Sequence, residues 1–332
     1  MIISRTPFRI SFFGGGTDYP AWFARHGGAV LATTIDKYCY ISCRYLPPFF
    51  EHNYRIVYSK IENTRTIDEI AHPAVRGVLN WMNCDRGLEI HHDGDVPARS
   101  GVGSSSSFTV GLINALTALS GRYISKEALA RQAIHLEQDV IKEAVGSQDQ
   151  VSAAFGGFNR IEFMPDGSFQ VSPIILAPKR MEELQDSLML FFTGFARTAA
   201  EVAQTKIDNF GERVAELTQM RLMVDEAIEL LQDDAVPLFE FGRMLDRTWK
   251  FKRSLSNKVS TPEIDSIYAA ALSAGAAGGK LIGAGGGGFI LLFVPPQAQE
   301  AVKKSLAQLI QVPFRFETSG SRIVLYQPSG LA

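Results

Sequence analysis

With 332 residues, 46 % of them hydrophobic and 20 % charged, the chain is long enough for two domains with separate cores and too apolar for extended disorder. A formal net charge of -2 argues against nucleic acid or an anionic membrane surface as partner, and no apolar run approaches the roughly 20 residues needed to cross a bilayer. Cys39, Cys43 and Cys84 lack Cys-x-x-Cys spacing and the N-terminus has no basic segment ahead of an apolar core, so a cytoplasmic chain with reduced thiols and no signal peptide is expected.

In chain order, Ile2 to Phe13 read as a strand that breaks at Gly14-Gly15-Gly16-Thr17-Asp18. Three glycines before a lone carboxylate suggest a backbone that approaches something closely, although a plain surface loop also carries glycine. Residues 28–35 and 38–45 look like two paired strands joined through Asp36-Lys37, rich in β-branched and aromatic residues. A short strand over 55–58, a helix over 72–83 and a strand over 88–92 follow.

The strand at 88–92 leads into Asp95-Val-Pro-Ala-Arg-Ser-Gly101-Val102-Gly103-Ser104-Ser105-Ser106-Ser107-Phe108, and then into the periodic apolar run Val110, Leu112, Ile113, Leu116, Leu119. This is a loop feeding a helix N-terminus, where unpaired N–H groups and the helix dipole attract an anion. Gly101 and Gly103 let the backbone curl round such an anion, and the serine hydroxyls can donate to phosphate or ligate a metal. The run is neither Gly-x-Gly-x-x-Gly nor a loop closed by Gly-Lys-Ser/Thr; a flexible Ser/Gly linker is the bland alternative.

Ser125 starts a capping box for a second helix that carries Glu137. Gly146-Ser-Gln-Asp149-Gln follows, in which a plain helix cap is the bland alternative for Asp149. Residues 158–163 and 168–175 look like a hairpin around Pro165-Asp-Gly167, after which the first domain closes, at 182, and a second spans 183–332. That second part opens with a strand ending at Gly194, with Arg197 just beyond, and continues with helical periodicity over 198–232 and 237–254. Lys252 and Arg253 read as a solvated helix face. Lys280-Leu-Ile-Gly-Ala-Gly285-Gly286-Gly-Gly-Phe-Ile-Leu-Leu-Phe-Val294 is a glycine run before a strand, and a helix at 297–310 with strands at 312–317 and 322–326 end the chain.

Three of these stretches together resemble the GHMP kinases, the family of galactokinase, homoserine kinase, mevalonate kinase and phosphomevalonate kinase. Pro97-x-x-x-Gly-Val-Gly-Ser-Ser resembles their nucleotide loop, Gly-Thr17-Asp18-Tyr19 the sugar signature of the sugar-kinase branch, and Lys280-Leu-x-Gly-Ala-Gly-Gly-Gly-Gly the third motif. Galactokinases have Gly-Glu-His ahead of Thr-Asp-Tyr where this chain has Gly-Gly-Gly, so a different sugar is expected. The resemblance implies an α+β two-domain fold: an N-terminal domain like the second domain of ribosomal protein S5, a ferredoxin-like C-terminal domain, and a site in the cleft between them.

The resemblance also implies residue roles. ATP phosphates would rest on Gly101, Val102, Gly103, Ser104, Ser105 and Ser106, with Gly285 and Gly286 beside them; Ser105 and Glu137 would hold Mg²⁺. Asp149 would face the acceptor hydroxyl, and Gly15, Gly16, Thr17 and Asp18 would line the sugar. Arg9 either compensates charge near Asp149 or the γ-phosphate, or is a structural ion-pair partner.

Pro7-Phe-Arg-Ile-Ser-Phe-x-Gly-Gly-Gly-Thr-Asp with Phe191-Phe-Thr-Gly-x-x-Arg197 looks most like the D-glycero-D-manno-heptose 7-phosphate kinases, which phosphorylate the anomeric C1 hydroxyl to the 1,7-bisphosphate on the route to GDP-heptose for surface polysaccharide. A substrate that already bears a phosphate needs cations at the far end of its pocket, for which Arg197, Lys37 and Arg25 are the candidates. The alternatives are another sugar 1-kinase acting on galactose, fucose or mannose, and a catalytically silent sugar-binding relative. A homodimer is in keeping with the class.

Overall fold

The computed structural model describes residues 1–194 and 199–328. The chain begins β1 (Ile2–Phe13), α1 (Pro20–His26), β2 (Gly28–Tyr45), β3 (Tyr54–Val57), β4 (Ile61–Thr64), α2 (Pro73–Trp81) and β5 (Leu88–Gly94). Then come α3 (Ser104–Leu119), α4 (Lys126–His135), α5 (Gln148–Phe155), β6 (Phe158–Phe163), β7 (Phe169–Pro173) and α6 (Pro178–Asp186). The rest runs β8 (Leu188–Phe192), α7 (Ala199–Asn209), α8 (Val214–Gln232), α9 (Phe239–Ser254), α10 (Pro262–Ser273), β9 (Gly278–Leu281) and β10 (Phe289–Phe293). It closes with α11 (Gln299–Ser305), β11 (Ile310–Gln311), β12 (Phe316–Glu317) and β13 (Arg322–Tyr326).

The spine of the first sheet is β2. It pairs antiparallel with β1 over its length, with β6 over Gly28 to Thr33 and with β5 over Cys39 to Tyr45. The order is β13-β1-β2-β5-β3-β4, with β3 parallel to β5 and β7 hairpinned to β6. The two strands expected at 28–35 and 38–45 are therefore one. Asp36-Lys37 makes a register slip against Pro7 and Phe8 in place of a turn, because Asp36 exchanges backbone and side-chain hydrogen bonds with Arg315 and takes the Lys37 ammonium at 2.9 Å.

α3 lies on this sheet, buried over nearly all of its residues from Ser106 to Leu119, so the serine loop is fixed at the end of a core element. Ser125 caps α4 as expected, accepting from the Ala128 N–H at 3.2 Å. The helix then widens into a π-helical turn at Leu136–Val140, a local irregularity of the sort that often re-aims a side chain, and Glu137 sits in it.

The second sheet is antiparallel in the order β11-β8-β10-β9 and packs on α9 and α10 through Trp249, Ile264, Tyr268 and Leu292. The helical stretch expected over 198–232 is two helices, separated by a tight turn at Phe210–Glu212 where Gly211 breaks the periodicity. β12 and β13 return to the first sheet, β13 on the outer edge of β1 and β12 against β2. Among the described residues no helix is long and apolar enough to cross a membrane.

Candidate active site

β1 carries Arg9 inward to 4 % exposure. Its Nε and one terminal nitrogen donate to the two oxygens of Asp149 at 2.7 and 2.8 Å, and the other terminal nitrogen donates to the carbonyl of Gly101 at 2.6 Å. A planar fork against a carboxylate is among the stronger polar contacts a protein makes. Arg9 thereby joins the sheet, the serine loop and the first turn of α5. Asp149 does not cap its own helix, and its side chain keeps 24 % exposure, so the carboxylate still faces outward.

The loop bends where the glycines stand. Gly101 and Gly103 have φ of +89° and +76°, and a Cβ on Gly103 would come within 3.3 Å of an Asp149 oxygen. Gly103 begins α3 with no side chain capping it, leaving the helix N-terminus open beside Asp149. Ser104 Oγ accepts from the Arg99 N–H at 3.0 Å, and Val102 is fully buried.

The serine facing Glu137 is Ser106, one position on from the expected Ser105. Ser106 Oγ donates to Glu137 Oε2 at 2.8 Å, whereas Ser105 is exposed. One residue along a helix turns a side chain by about 100°, so a run of serines conceals which of them points inward. Glu137 is buried, also receives the Gln150 amide and has the Thr109 hydroxyl close by, and among the described residues its Oε1 has no hydrogen-bond partner; burial pushes its carboxyl up to about 7, opposed by Thr109, Ser106 and Gln150. An orphaned, desolvated carboxylate oxygen beside a serine hydroxyl fits a hard divalent cation that keeps most of its coordination for phosphate and water. No cluster of three His, Cys, Asp or Glu occurs among the described residues, so a cation held here would be bound mainly through substrate.

Asp18 is a second carboxylate close enough to Asp149 to feel its charge. It is 1 % exposed and accepts the Gly16 N–H at 2.8 Å and the Gln148 side-chain amide at 3.0 Å. Burial raises its pKa, with the Gly16 N–H opposing and the Asp149 charge adding. Gly146 has to be bare, since a Cβ there would lie 1.9 Å from Asp18 Oδ2. Gly15 lies within Cβ contact range of Ser11 and Gln148, and Gly16 abuts Leu217.

The hydroxyl of Thr17, expected on the sugar, instead donates to the carbonyls of Gly14 and Ala29 and accepts from the Ala29 N–H, which fixes the turn carrying Asp18. Lys37 is likewise engaged by Asp36, and Arg25 is exposed in the last turn of α1. Arg197 lies outside the described residues.

The glycine run meets the serine loop as the third motif implied. A Cβ on Gly283 would lie 2.5 Å from Gly101 Cα, one on Gly288 would lie 2.2 Å from the Ser100 carbonyl, and the Phe289 N–H donates to that carbonyl at 3.1 Å. Gly285 and Gly286 stand between these contacts and pack on Val259, whose carbonyl accepts the Gly286 N–H at 2.9 Å.

Three buried lysines complete the surroundings, and none was singled out as a site residue. Lys252, read from sequence as solvated, donates to the carbonyls of Leu281 and Gly283 at 2.7 and 2.6 Å, holding the glycine run; only its neighbour Arg253 is on the solvated face, paired with Asp265. Lys280 donates to the Phe12 carbonyl at 2.8 Å, tying β9 to β1. Lys206 on α7 lies near Asp18 and Asp149, and burial lowers its pKa to about 8. The signal for Lys206 and Lys252 was available: Lys206 is four residues past Val202 and Lys252 three past Trp249, on the apolar stripes of their helices.

Comparison with known proteins agrees with this arrangement. The model for the GHMP kinases N terminal domain matches residues 68–157 and that for the GHMP kinases C terminal matches residues 235–310. The chain is 30 % identical over 319 residues to a D-glycero-alpha-D-manno-heptose 7-phosphate kinase of Campylobacter jejuni, covering 92 % of this chain and 93 % of that one. A galactokinase of Pyrococcus furiosus is 26 % identical over 85 % of this chain and 86 % of its own. Among solved structures, a D-glycero-D-manno-heptose 1-phosphate kinase from Bacteroides thetaiotaomicron superimposes with a TM-score of 0.79 at 23 % identity, covering 97 % of this chain and 98 % of that one.

Proposed function

The chain belongs to the GHMP kinase family and is a sugar kinase, and from that premise we propose that it transfers the γ-phosphoryl group of ATP to the anomeric C1 hydroxyl of D-glycero-D-manno-heptose 7-phosphate. The product is the 1,7-bisphosphate, a precursor of GDP-activated heptose. The observation that carries the proposal is the abutment of Gly103 on Asp149 at an uncapped helix N-terminus, which sets a phosphate cradle and an acceptor-side carboxylate side by side. The full-length likeness to the C. jejuni enzyme supports the choice of sugar.

Phosphoryl transfer asks the protein mainly to align the attacking oxygen and neutralise charge on the moving group. The open N–H groups of residues 103–106 receive the phosphates, and the glycine run closes on the loop from the second sheet. Mg²⁺, held by Ser106 and Glu137, would supply charge neutralisation on the phosphate oxygens. Asp149, fixed in direction by Arg9, accepts the C1 hydroxyl proton; an anomeric hydroxyl is more acidic than an ordinary alcohol, so a carboxylate suffices. Asp18 accepts from a hydroxyl further along the sugar. For the 7-phosphate we assign Arg197, and R197A then raises KM for the phosphorylated sugar more than for ATP.

We divide the chain near residue 182 into a part bearing nucleotide and sugar and a part supplying the glycine run and the closing wall, with the correction that β12 and β13, expected in the second part, complete the sheet of the first. The test is ADP release with heptose 7-phosphate against galactose, fucose, mannose and free heptose, with phosphorus NMR locating the new ester. Turnover on a free sugar but not on the 7-phosphate discards the proposed substrate.

A further inference from the structure

Among the described residues, four buried basic side chains lie round the Asp18–Asp149 pair, and three are accounted for. Arg9 is held by Asp149 and Gly101, Lys252 by two carbonyls of the glycine run, and Lys280 by Phe12. Lys206 is different. It is 4 % exposed, its ammonium lies 5.4 Å from the Tyr19 ring centroid, and its charged neighbours are Asp18, Asp149 and Arg9. Yet among the described residues its three N–H donors have no hydrogen-bond or ion-pair partner.

A desolvated ammonium without an acceptor is costly, so a retained one marks a place where an acceptor arrives. The surroundings of Asp18 are also short of partners: among the described residues Ser11 Oγ and Gln148 Oε1 are buried and unbonded, both side chains border Gly15, and Gln148 touches Asp18. Among the described residues Asp18 Oδ1 takes only the Gly16 N–H, and a carboxylate oxygen can accept a second donor. The missing group must therefore accept from Lys206 and donate to Asp18. A hydroxyl does both. A phosphate would gain from Lys206 but face the carboxylates of Asp18 and Asp149, and an amine would face Lys206.

We propose that Lys206 is a specificity-determining residue that binds the acceptor: with Asp18 it brackets one hydroxyl of the sugar, the ammonium donating to its oxygen while its proton goes to the carboxylate. A pair of this kind reads both the presence of a hydroxyl and its configuration, because the epimer reaches neither partner. The inference rests on the reading of the acceptor as a sugar.

The test compares the full-length wild type with K206M and K206R on heptose 7-phosphate, mannose, galactose and fucose, using the sugar that the wild type phosphorylates best. For K206M the acceptor KM should rise about 10- to 100-fold, the size of a lost charge-assisted hydrogen bond, while KM for ATP stays within about two-fold. Deoxy analogues of that sugar give a readout a purely structural lysine would not move. Removing the bracketed hydroxyl should weaken the wild type strongly and K206M hardly at all.

An unchanged acceptor KM, or one that moves together with KM for ATP, overturns the assignment. Should K206M fail to fold, K206R decides, since it keeps the charge and displaces the donor; an unaltered acceptor KM there overturns the assignment equally. A wild type that prefers another sugar to heptose 7-phosphate discards the substrate proposed above, and the Lys206 comparison is then made on that sugar.

Discussion

Arg9 and Asp149, 140 residues apart, meet through two parallel hydrogen bonds of 2.7 and 2.8 Å, and the same guanidinium holds the carbonyl of Gly101. Asp149, proposed to face the acceptor, and the serine loop, proposed to hold the phosphates, are thus oriented by one side chain. D149N removes the base and leaves the loop attached through Gly101, so kcat should fall about 10²- to 10⁴-fold with ATP affinity little changed. R9M should lose both, with kcat down and KM for ATP up. Initial-rate kinetics with calorimetric ATP binding separate the two, and a D149N enzyme of near-normal turnover excludes Asp149 from the chemistry.

Ser106, not Ser105, faces the orphaned carboxylate of Glu137. S106A should therefore raise the Mg²⁺ concentration needed for half-maximal rate by about ten-fold or more, whereas S105A should leave it within about two-fold. A magnesium titration at saturating ATP decides; equal effects of the two changes would refute the pairing.

How much of this could be read beforehand follows from what each residue reports locally. The glycine-serine loop, the Gly-Gly-Gly-Thr-Asp break and the late glycine run were legible because glycine states a backbone need directly, and the apolar stripe of α3 fixed the helix behind the loop. Which serine turns inward depends on the phase of α3 and on the π-helical turn at Glu137, and neither leaves a compositional trace. Lys206, Lys252 and Lys280 were passed over because lysine is ordinarily solvated; only their places on apolar stripes or in a buried strand marked them. The role of the Thr17 hydroxyl in closing the turn beneath Asp18 is illegible for a related reason, since its partners Gly14 and Ala29 meet it only in the fold.

Gly283 admits no side chain, because its φ is +78° and a Cβ would sit 2.5 Å from Gly101 Cα. G283A should push the glycine run off the serine loop, raising KM for ATP and lowering stability by about 1–3 kcal/mol. G167A, at a turn with φ +83° but open space around it, controls for backbone strain alone. Denaturant melts and ATP kinetics on both variants provide the check; equal losses would mean that packing against Gly101 is immaterial.

Lys280 titrates near 7 in the fold, lowered by burial and then by Arg9 and Lys206, against 10.5 ordinarily. Between those values the unfolded chain binds the extra proton, so this residue adds to stability as pH rises; the contribution is complete above the upper value and lost as pH falls through 7. Wild type should accordingly gain stability relative to K280M between pH 6.5 and about 9. Chemical denaturation of the two proteins across that range measures it, and parallel profiles would contradict the assignment.

Ile2 of β1 pairs with Tyr326 of β13, so the strand that carries Arg9 acquires one of its two neighbours from the far end of the described chain. During synthesis β1 leaves the ribosome early and β13 late. Throughout that interval the growing polypeptide holds an uncovered strand edge, the feature that invites pairing with other chains. The serine loop, the proposed phosphate cradle, is therefore anchored on a sheet that cannot be finished until translation has passed residue 326, and fragments cut at the boundary between the halves should be prone to aggregate.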